Sequence, residues 1–291
     1  MRLKYINQIQ ANISIASHKK TTNFLDGTYK SVYRGKSMNF ENLREYVIND
    51  DVKDIDWKAS SRSGTILVKQ FIAEKKHNIM LVMDTGKKMT ADTSANFPKK
   101  EIALFTAGTI GYIAIKNGDY IGMMYNNNNK INYKPFKYNL YNLEEYLTEY
   151  EKSNFLDNSS NLNETLNYII KNIKKKMIIF IITDLEGLNN ITTKSLKALR
   201  EAHDVLLVNI EDAYMTGENL FDIDEENYIP SVLLQDNKLN EIEHEIRHDI
   251  LNKNKKRLKK NKIEMITIND KISIPLKLIE LLESHKYASN N

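Results

Sequence analysis

The sequence predicts an open, mostly parallel α/β sheet with helices on both faces. From about residue 78 onward, short apolar runs alternate with stretches in which apolar residues recur at helical spacing. Strands that alternate with helices in this way form parallel sheets. Residues 177–182 are continuously apolar, which is typical of a strand buried on both faces at the centre of such a sheet.

The elements of this region follow in chain order. Short apolar runs predict strands at 78–84, 120–125, 177–184, 205–210 and 264–268. Apolar residues spaced three or four apart predict helices at 99–116, 140–151, 162–174, 193–202, from about 239, and at 275–283. The asparagine run at 126–129 predicts a turn between two strands.

Residues 1–77 are more polar and are predicted to form a β-rich N-terminal extension that lies against the main domain. Residues 65–71 have the composition of a strand, and the stretch before them is dense in charge and glycine. The sequence therefore predicts two domains, the extension at 1–77 and the α/β domain at 78–291.

Composition excludes several classes of protein. With 291 residues, 41% hydrophobic and 27% charged, the chain can bury a sizeable core. It has no cysteine, which excludes disulfides, zinc–thiolate sites and cysteine nucleophiles. No apolar run approaches the roughly 18 residues of a membrane span, and the first eight residues lack the apolar core of a secretory signal. We expect a soluble cytoplasmic protein.

The net charge of +4 conceals one basic run at 253–262. Seven of its ten residues are basic, so the rest of the chain carries a net charge of −3. A solvated helix end is the favoured interpretation, because Lys and Arg suit the negative end of a helix dipole. Binding to nucleic acid or to an acidic partner is the alternative. No aromatic residue interrupts the run as a base-stacking surface requires, so nucleic acid is disfavoured.

Two predicted strands end in an acid, Asp84 and Asp184, and a polar stretch containing Ser160 precedes the helix at 162. The carboxyl ends of parallel strands meet at one edge of a sheet, where function gathers in open α/β folds. If these loops meet, Asp84, Ser160 and Asp184 form an oxygen-rich site of the kind that Mg²⁺ prefers.

Residues 78–89 and 177–187 resemble the first and last motifs of a von Willebrand factor A-like domain. That fold carries a metal-ion-dependent adhesion site built from Asp-x-Ser-x-Ser, a Thr and a later Asp. The segment from Arg44 to Arg62 is similar to the signature of the bacterial domain-of-unknown-function family 58, and the resemblance covers about residues 25–215. The matching residues are Arg44, Glu45, Tyr46, Asp50, Asp51, Asp56, Trp57 and Arg62.

The resemblance implies a non-enzymatic protein-interaction module. Its partner would be a MoxR-type AAA+ ATPase, with other von Willebrand factor A-like proteins as further partners, in chaperone-like assembly or maturation of other proteins. The implied binding surfaces are the top of the sheet and the Arg44 to Trp57 segment.

The adhesion motif departs from the family pattern in ways that predict a degenerate site without metal. It reads Asp84-Thr85-Gly86-Lys87-Lys88, so both serine hydroxyls are missing. Gly86 offers no side-chain ligand, and Lys88 brings an ammonium to where a cation would sit; Ser160 replaces the Thr and Asp184 is retained. We expect Lys88 to pair with Asp84 and Asp184 in place of the metal's charge. If the site does retain binding, Mg²⁺ is the expected ion.

The charged segment from Arg44 to Arg62 also has a simpler interpretation, a surface ion network of little energetic value. Trp57, the only tryptophan, is expected to be a packing anchor. The segment contains no histidine, and no reaction follows from it. A folding and interface role is therefore favoured over catalysis.

His244, Glu245 and His248 form the pattern H-E-x-x-H, in which two histidines bind zinc and the glutamate is the general base of a peptidase. The apolar stripe of this helix is expected at Leu239, Ile242, Ile246 and Ile250, which places both histidines on the polar face. No clear third ligand follows them. A zinc peptidase is therefore kept only as the alternative function. No dinucleotide-binding, P-loop or G-x-S-x-G pattern is present.

Overall fold

The structure, a computed structural model, describes residues 3–16, 20–33, 40–48, 50–71, 76–127, 130–153, 155, 162–213, 221–222, 227–228 and 237–290. The helices are α1 (Lys4–Ala16), α2 (Lys20–Tyr33), α3 (Trp57–Ser63), α4 (Lys99–Lys116), α5 (Leu140–Glu151), α6 (Leu162–Asn172), α7 (Leu185–Asn190), α8 (Thr193–Ala202), α9 (Asn237–Lys260) and α10 (Ile274–Asn290). The strands are β1 (Phe40–Glu45), β2 (Leu67–Phe71), β3 (Asn78–Met83), β4 (Tyr120–Asn127), β5 (Lys130–Lys137), β6 (Ile178–Asp184), β7 (Asp204–Ile210), β8 (Phe221–Asp222), β9 (Asn227–Tyr228) and β10 (Glu264–Ile268).

The main sheet has six strands in the order β10-β7-β6-β3-β4-β5. Every neighbouring pair is parallel except β4 and β5, which form an antiparallel hairpin at one edge. The predicted turn at 126–129 connects these two strands, although residues 128 and 129 lie outside the described residues. The predicted fold class is confirmed.

The sheet is covered on both faces, and alternate residues of each strand face opposite layers. Ile178, Phe180 and Ile182 of β6 pack in a core with residues of α1, α2, α4, α5 and α10. Ile179 and Ile181 pack in a second core with residues of α6, α7, α8 and α9. This double burial explains why the sequence of β6 is continuously apolar.

The first helices correct the prediction of a β-rich extension. Residues 3–33 include α1 and α2, and Ile6, Ile9, Ile13, Leu25 and Tyr29 are buried in the first core. The i, i+3, i+7 spacing of the three isoleucines is the pattern of an amphipathic helix, so the signal was present in the sequence. The strand predicted at 65–71 is found as β2, and it pairs with the unpredicted strand β1 in a small antiparallel sheet. The domain boundary at residue 77 stays a prediction.

We name residues 40–71 the small-sheet unit. β2 is flanked by β1 on one side and by the turn at Val52–Asp54 on the other, where the Asp56 amide donates to the Leu67 carbonyl at 2.9 Å. Helix α3 begins at Trp57 because the Asp56 carboxylate accepts from the Ala59 amide at 3.0 Å, and it ends at Gly64, whose φ is +76°. In the described chain this unit has at most marginal contact with the helices and strands of the main sheet.

None of the helices in the described part of the chain has the length and apolarity that a membrane-spanning helix requires.

Candidate functional site

Asp84 and Asp184 lie side by side at the carboxyl edge, the edge of the main sheet where its parallel strands end. β3 and β6 are neighbours, and the Asp84 amide donates to the Ile182 carbonyl at 3.0 Å. Both aspartates are buried. Gly187 lies between them: its amide donates to Asp184 Oδ1 at 2.9 Å, and a Cβ there would lie 2.2 Å from Asp84 Oδ2. Only glycine leaves room for the two carboxylates in this arrangement.

The Asp84 carboxylate accepts from donors inside the fold. Thr183 Oγ1 donates to Asp84 Oδ2 at 2.5 Å, and the Gly86 amide donates to Asp84 Oδ1 at 2.8 Å. The Tyr150 hydroxyl donates to the Asp84 backbone carbonyl at 2.8 Å. Burial and the nearby Asp84 charge hold the pKa of Tyr150 well above its usual range, so this hydroxyl remains a donor.

Asp184 binds a buried lysine. Lys99 Nζ, from the first residue of α4, lies 2.6 Å from Asp184 Oδ2 and also donates to Asp212 Oδ1. Burial alone would lower the pKa of Lys99, but the charges of Asp184 and Asp212 outweigh it and raise that pKa. Burial raises the pKa of Asp212, and the negative charge of Asp184 raises it further. The attraction of Lys99 lowers this pKa but does not reverse the increase. The group is therefore a lysine held between two carboxylates.

The structure corrects one part of the degenerate-site prediction, since the lysine that binds Asp184 is Lys99. Lys88 lies half-buried in the turn at Lys87–Thr90, and its pairing with Asp84 stays a prediction. Ser160 lies outside the described residues, so its place in the site also stays a prediction. A lysine at the first position of a helix opposes the helix dipole, and this was the sequence signal that could have identified Lys99.

The described part of the carboxyl edge does not fit Mg²⁺. This ion needs carboxylate oxygens that face an open coordination position. Asp184 faces the Lys99 ammonium, Asp84 accepts from Thr183 and the Gly86 amide, and Gly86 has no side chain to contribute. Over the described residues, no three His, Asp or Glu side chains are arranged to hold a metal ion.

A cleft of about 180 Å³, open to solvent, lies beside this group. Its lining residues are Leu185, Asn209, Glu211, Asp212, His244, Arg247, His248, Leu251 and Thr267. The side-chain oxygen of Asn209 is buried without a hydrogen-bond partner in the described structure. The cleft lies at the ends of β7 and β10, where open α/β sheets place ligands.

The H-E-x-x-H residues are all exposed on α9. His248 lies 3.1 Å from the Asn252 side-chain amide, and the two histidines line the cleft without forming a three-ligand set in the described structure. The expected apolar stripe is wrong for the first half of this helix, because Ile242 and Ile246 are exposed. Only the second half packs on the core, through Leu258; the Leu239 side chain lies outside the described residues.

The basic run at 253–262 is mostly exposed. Its one partly buried member, Arg257, donates to the carbonyls of Ile191 and Leu188 at 2.8 and 2.7 Å, at the carboxyl end of α7. A cation suits the negative end of a helix dipole, so Arg257 has a structural role. The six lysines of the run form no ion pair within the described chain.

In the signature segment, the acids shape the backbone. Arg44 contacts both oxygens of Asp50 at 2.6 and 2.7 Å, and Asp50 also accepts from the Val47 amide at 2.9 Å. The Arg44 guanidinium and then the Val47 amide lower the pKa of Asp50 to about 2. Asp51 caps the turn that follows by accepting from the Lys53 amide at 3.0 Å. The other family-matching residues are Glu45 at the end of β1, Tyr46, whose amide donates to the Ile66 carbonyl, and Arg62, exposed in the last turn of α3.

The prediction that Trp57 is a packing anchor is wrong, because its side chain is 63% exposed. Val47, Ile48 and Val52 are exposed to a similar or greater degree. Exposure follows from the size of the unit, since two strands and one short helix cannot enclose these side chains. The small-sheet unit therefore presents apolar surface to solvent.

The sequence profile of the family described as protein of unknown function DUF58 matches residues 42–218, more than half of the chain and including the signature segment. The chain belongs to this family. Its α/β domain is the mostly parallel sheet, covered by helices on both faces, that the sequence predicted.

Solved structures similar to this DUF58 chain include the conserved hypothetical protein BatB from Bacteroides thetaiotaomicron, at 14% identity and TM-score 0.45, over 74% of this chain and 100% of that one. An aerotolerance-related membrane protein from Bacteroides fragilis matches at 14% identity and TM-score 0.44, over 71% and 98%. A von Willebrand factor type A protein from Catenulispora acidiphila matches at 10% identity and TM-score 0.37, over 75% and 44%. No curated protein matches the sequence.

Proposed function

We propose that this DUF58 chain is a non-enzymatic protein-interaction module that works with a MoxR-type AAA+ ATPase in the assembly or maturation of other proteins. The von Willebrand factor A-like fold supports the general role of protein interaction. The family resemblance supplies the ATPase, and other von Willebrand factor A-like proteins are proposed as further partners. The same proposal places the chain in the cytoplasm, where such an ATPase has access to ATP.

The exposed apolar side chains of the small-sheet unit carry this proposal. Trp57 and Ile48 are 63% and 84% exposed in a segment that the family profile matches. Tryptophan is among the residues that contribute most binding energy in protein interfaces, because it buries a large area and can still donate one hydrogen bond. Leaving such side chains in water gains nothing for folding, so we assign them to docking.

The hydrogen bonding of the carboxyl edge supports binding over catalysis. The carboxylates of Asp84 and Asp184 accept from Thr183, Lys99 and backbone amides of the fold. A general base or nucleophile must instead direct its reactive atom at a substrate. We therefore assign the edge a structural role beside the docking surface.

The test is co-purification from the source organism with the tagged full chain. Wild type is compared with the double variant Trp57→Ala, Ile48→Ala, and with the control Tyr138→Ala, Ile272→Ala. The control removes two side chains that are 68% and 60% exposed outside the small-sheet unit. We expect mass spectrometry to find a MoxR-type ATPase enriched on wild type and control, and roughly tenfold less on the double variant.

Absence of any such ATPase from the wild-type sample would overturn the partner assignment. Equal enrichment on all three chains would overturn the docking surface. Circular dichroism of the three purified chains establishes that each is folded, so that a loss of enrichment reports on binding.

A further inference from the structure

Lys99 is an ammonium group enclosed within the carboxyl edge. Its side chain is 1% exposed, and its Nζ atom contacts Asp184 Oδ2 at 2.6 Å and donates to Asp212 Oδ1. The lysine is the first residue of α4, whereas Asp184 is the last residue of β6 and Asp212 follows β7. Three separate elements of the fold therefore meet at one positive charge.

The position of Lys99 opposes two ordinary preferences. A buried ammonium loses its hydration, which is unfavourable unless it is paired and hydrogen-bonded. The first residue of a helix lies at the positive end of the helix dipole, which disfavours a cation. Local propensity does not explain a lysine there, so the two carboxylates must be what retains it.

The charges around Lys99 show what its removal would leave behind. Asp84 and Asp184 both approach Gly187, and Asp212 shares the ammonium with Asp184. No other cation in the described structure forms an ion pair with Asp184 or Asp212. Arg247 donates to the Asp212 backbone carbonyl at 3.2 Å and its charge also acts on the Asp212 carboxylate, but in the described structure only Lys99 bonds to both side chains. Without Lys99, the buried Asp184 carboxylate and the partly buried Asp212 carboxylate would lose the ammonium between them.

We propose that Lys99 is a resident cation that holds Asp184 and Asp212 together permanently, in place of a dissociable ion. The two carboxylates of the carboxyl edge are then held in place whether or not a divalent metal ion is present, and such an ion does not change the stability of the wild-type chain. This inference deepens the proposed function. The role of Lys99 at the edge does not depend on that function; only the consequence that partner binding needs no metal rests on it. It also implies that removing the ammonium converts the edge into a divalent-cation site, since Mg²⁺ can be held by one or two carboxylates with water completing its shell.

The test is the thermal unfolding of chelator-treated wild type, Lys99→Met and Lys99→Met, Asp184→Asn, each with and without millimolar Mg²⁺ or Mn²⁺. Methionine keeps the length of the lysine stem and removes the charge. Lys271→Met is the control, because Lys271 is partly exposed and pairs at 2.6 Å with Glu101, another residue of α4, and its ion pair involves neither Asp184 nor Asp212.

We expect the Tm of wild type and of Lys271→Met to be unchanged by either ion. The Tm of Lys99→Met is expected to be lower than that of wild type, and Mn²⁺ or Mg²⁺ at about a hundred times its Kd should raise it by roughly 5 °C. The double variant should lose the response to metal. It should also be more stable than Lys99→Met in chelator, because one of the two unbalanced charges has been removed.

A Lys99→Met chain that is as stable as wild type and does not respond to either ion would overturn the proposal. Failure of Lys99→Met to fold even when it is refolded in Mn²⁺ would overturn it as well. An increase in the Tm of the wild-type chain with Mg²⁺ or Mn²⁺ would show that Lys99 does not neutralise the carboxylates of Asp184 and Asp212, and would overturn the proposal. None of these outcomes involves a partner protein, so they are distinct from failure of the co-purification.

Discussion

The carboxyl edge of the main sheet and the small-sheet unit differ in which side chains they bury. At the edge, charged groups that would normally seek water are buried, and their hydrogen bonds are made inside the fold. In the small-sheet unit, apolar groups that would normally be buried are exposed. The edge therefore buries charge, and the small-sheet unit exposes apolar surface.

The comparison separates stability from recognition. A buried polar network is costly to disturb, because every partner removed leaves a group without compensation. An exposed apolar group contributes little to folding and remains available for a partner. Substitutions at the edge should therefore change stability, and substitutions in the small-sheet unit should change binding.

The largest effect is expected for Asp184→Ala, which leaves the Lys99 ammonium with one carboxylate in a buried site. Removing one partner of a buried pair typically costs about 3–5 kcal/mol of unfolding free energy. Urea unfolding followed by circular dichroism measures this loss. Glu201→Ala is the control, because its 3.9 Å contact with Lys197 is exposed and should contribute less than about 1 kcal/mol. Equal losses in the two variants would contradict the proposed difference between edge and surface.

Gly187→Ala should be next in size. The added Cβ would lie 2.0 Å from Thr183 Oγ1 and 2.2 Å from Asp84 Oδ2, so the edge must shift to accommodate it. Overpacking of this kind costs about 1–3 kcal/mol in the same urea experiment. Gly27→Ala in α2 has nothing within 4 Å of its added Cβ and should instead stabilise the chain by about 0.5–1 kcal/mol. Stabilisation by Gly187→Ala would show that the carboxylates are not confined as described.

Acid should weaken the main domain through Asp119, which accepts from the Tyr29 hydroxyl at 2.6 Å and the His77 amide at 2.8 Å. Burial would raise the pKa of Asp119, but the His77 and Tyr29 donors outweigh it and lower that pKa below its ordinary 3.8. A lowered folded-state pKa adds stability above pH 3.8, and this stability is lost as the pH falls through the folded value.

The unfolding free energy measured from pH 7 to pH 3 should therefore fall more steeply below about pH 4 for wild type than for Asp119→Asn. Asp50→Asn in the small-sheet unit is the comparison, since its Arg44 partner lies outside the main cores. Asp50→Asn is expected to disturb only the turn where Asp50 accepts from the Val47 amide, and to leave the pH dependence of the unfolding free energy of the main domain as in wild type. An identical pH profile for wild type and Asp119→Asn would exclude Asp119 as the group responsible.

The smallest effect on stability is expected for Trp57→Ala. The side chain is mostly exposed, so the unfolding free energy should change by no more than about 0.5 kcal/mol. Leu81→Ala, at a fully buried position of β3, is the opposite case and should cost about 2–5 kcal/mol. Circular dichroism is the appropriate probe, because Trp57 is the only tryptophan and its removal abolishes tryptophan fluorescence. A loss near that of Leu81→Ala would mean that Trp57 is a packing anchor after all.

Much of the fold could be predicted from the sequence, because periodicity is a local signal. The helix bounds Lys99–Lys116 and Thr193–Ala202 agree with the structure, and the apolar run of β6 indicated the centre of the sheet. Asp84 and Asp184 were placed at one edge because parallel strands fix where their ends lie. The helix α1 also had a local signal, but the polar composition around it outweighed the spacing of its isoleucines.

The rest depends on contacts between residues far apart in sequence. Lys99 lies 85 residues from Asp184 and 113 from Asp212, and only the strand order brings them together. Lys88 was chosen as the cation because it occupies the second serine position of the adhesion motif, and that motif carries no information about the start of α4. Trp57 was assigned to packing from the usual behaviour of tryptophan, whereas its exposure is set by the small size of its unit.

The central claim is that the carboxyl edge carries its own cation and that the wild-type chain works without metal. Isothermal titration calorimetry of the chelator-stripped full chain with Mg²⁺ and with Mn²⁺ tests it most directly. We predict no heat beyond dilution for either ion. Stoichiometric Mg²⁺ binding that disappears in Asp184→Ala would contradict the claim and would mean that the edge still ligates a metal.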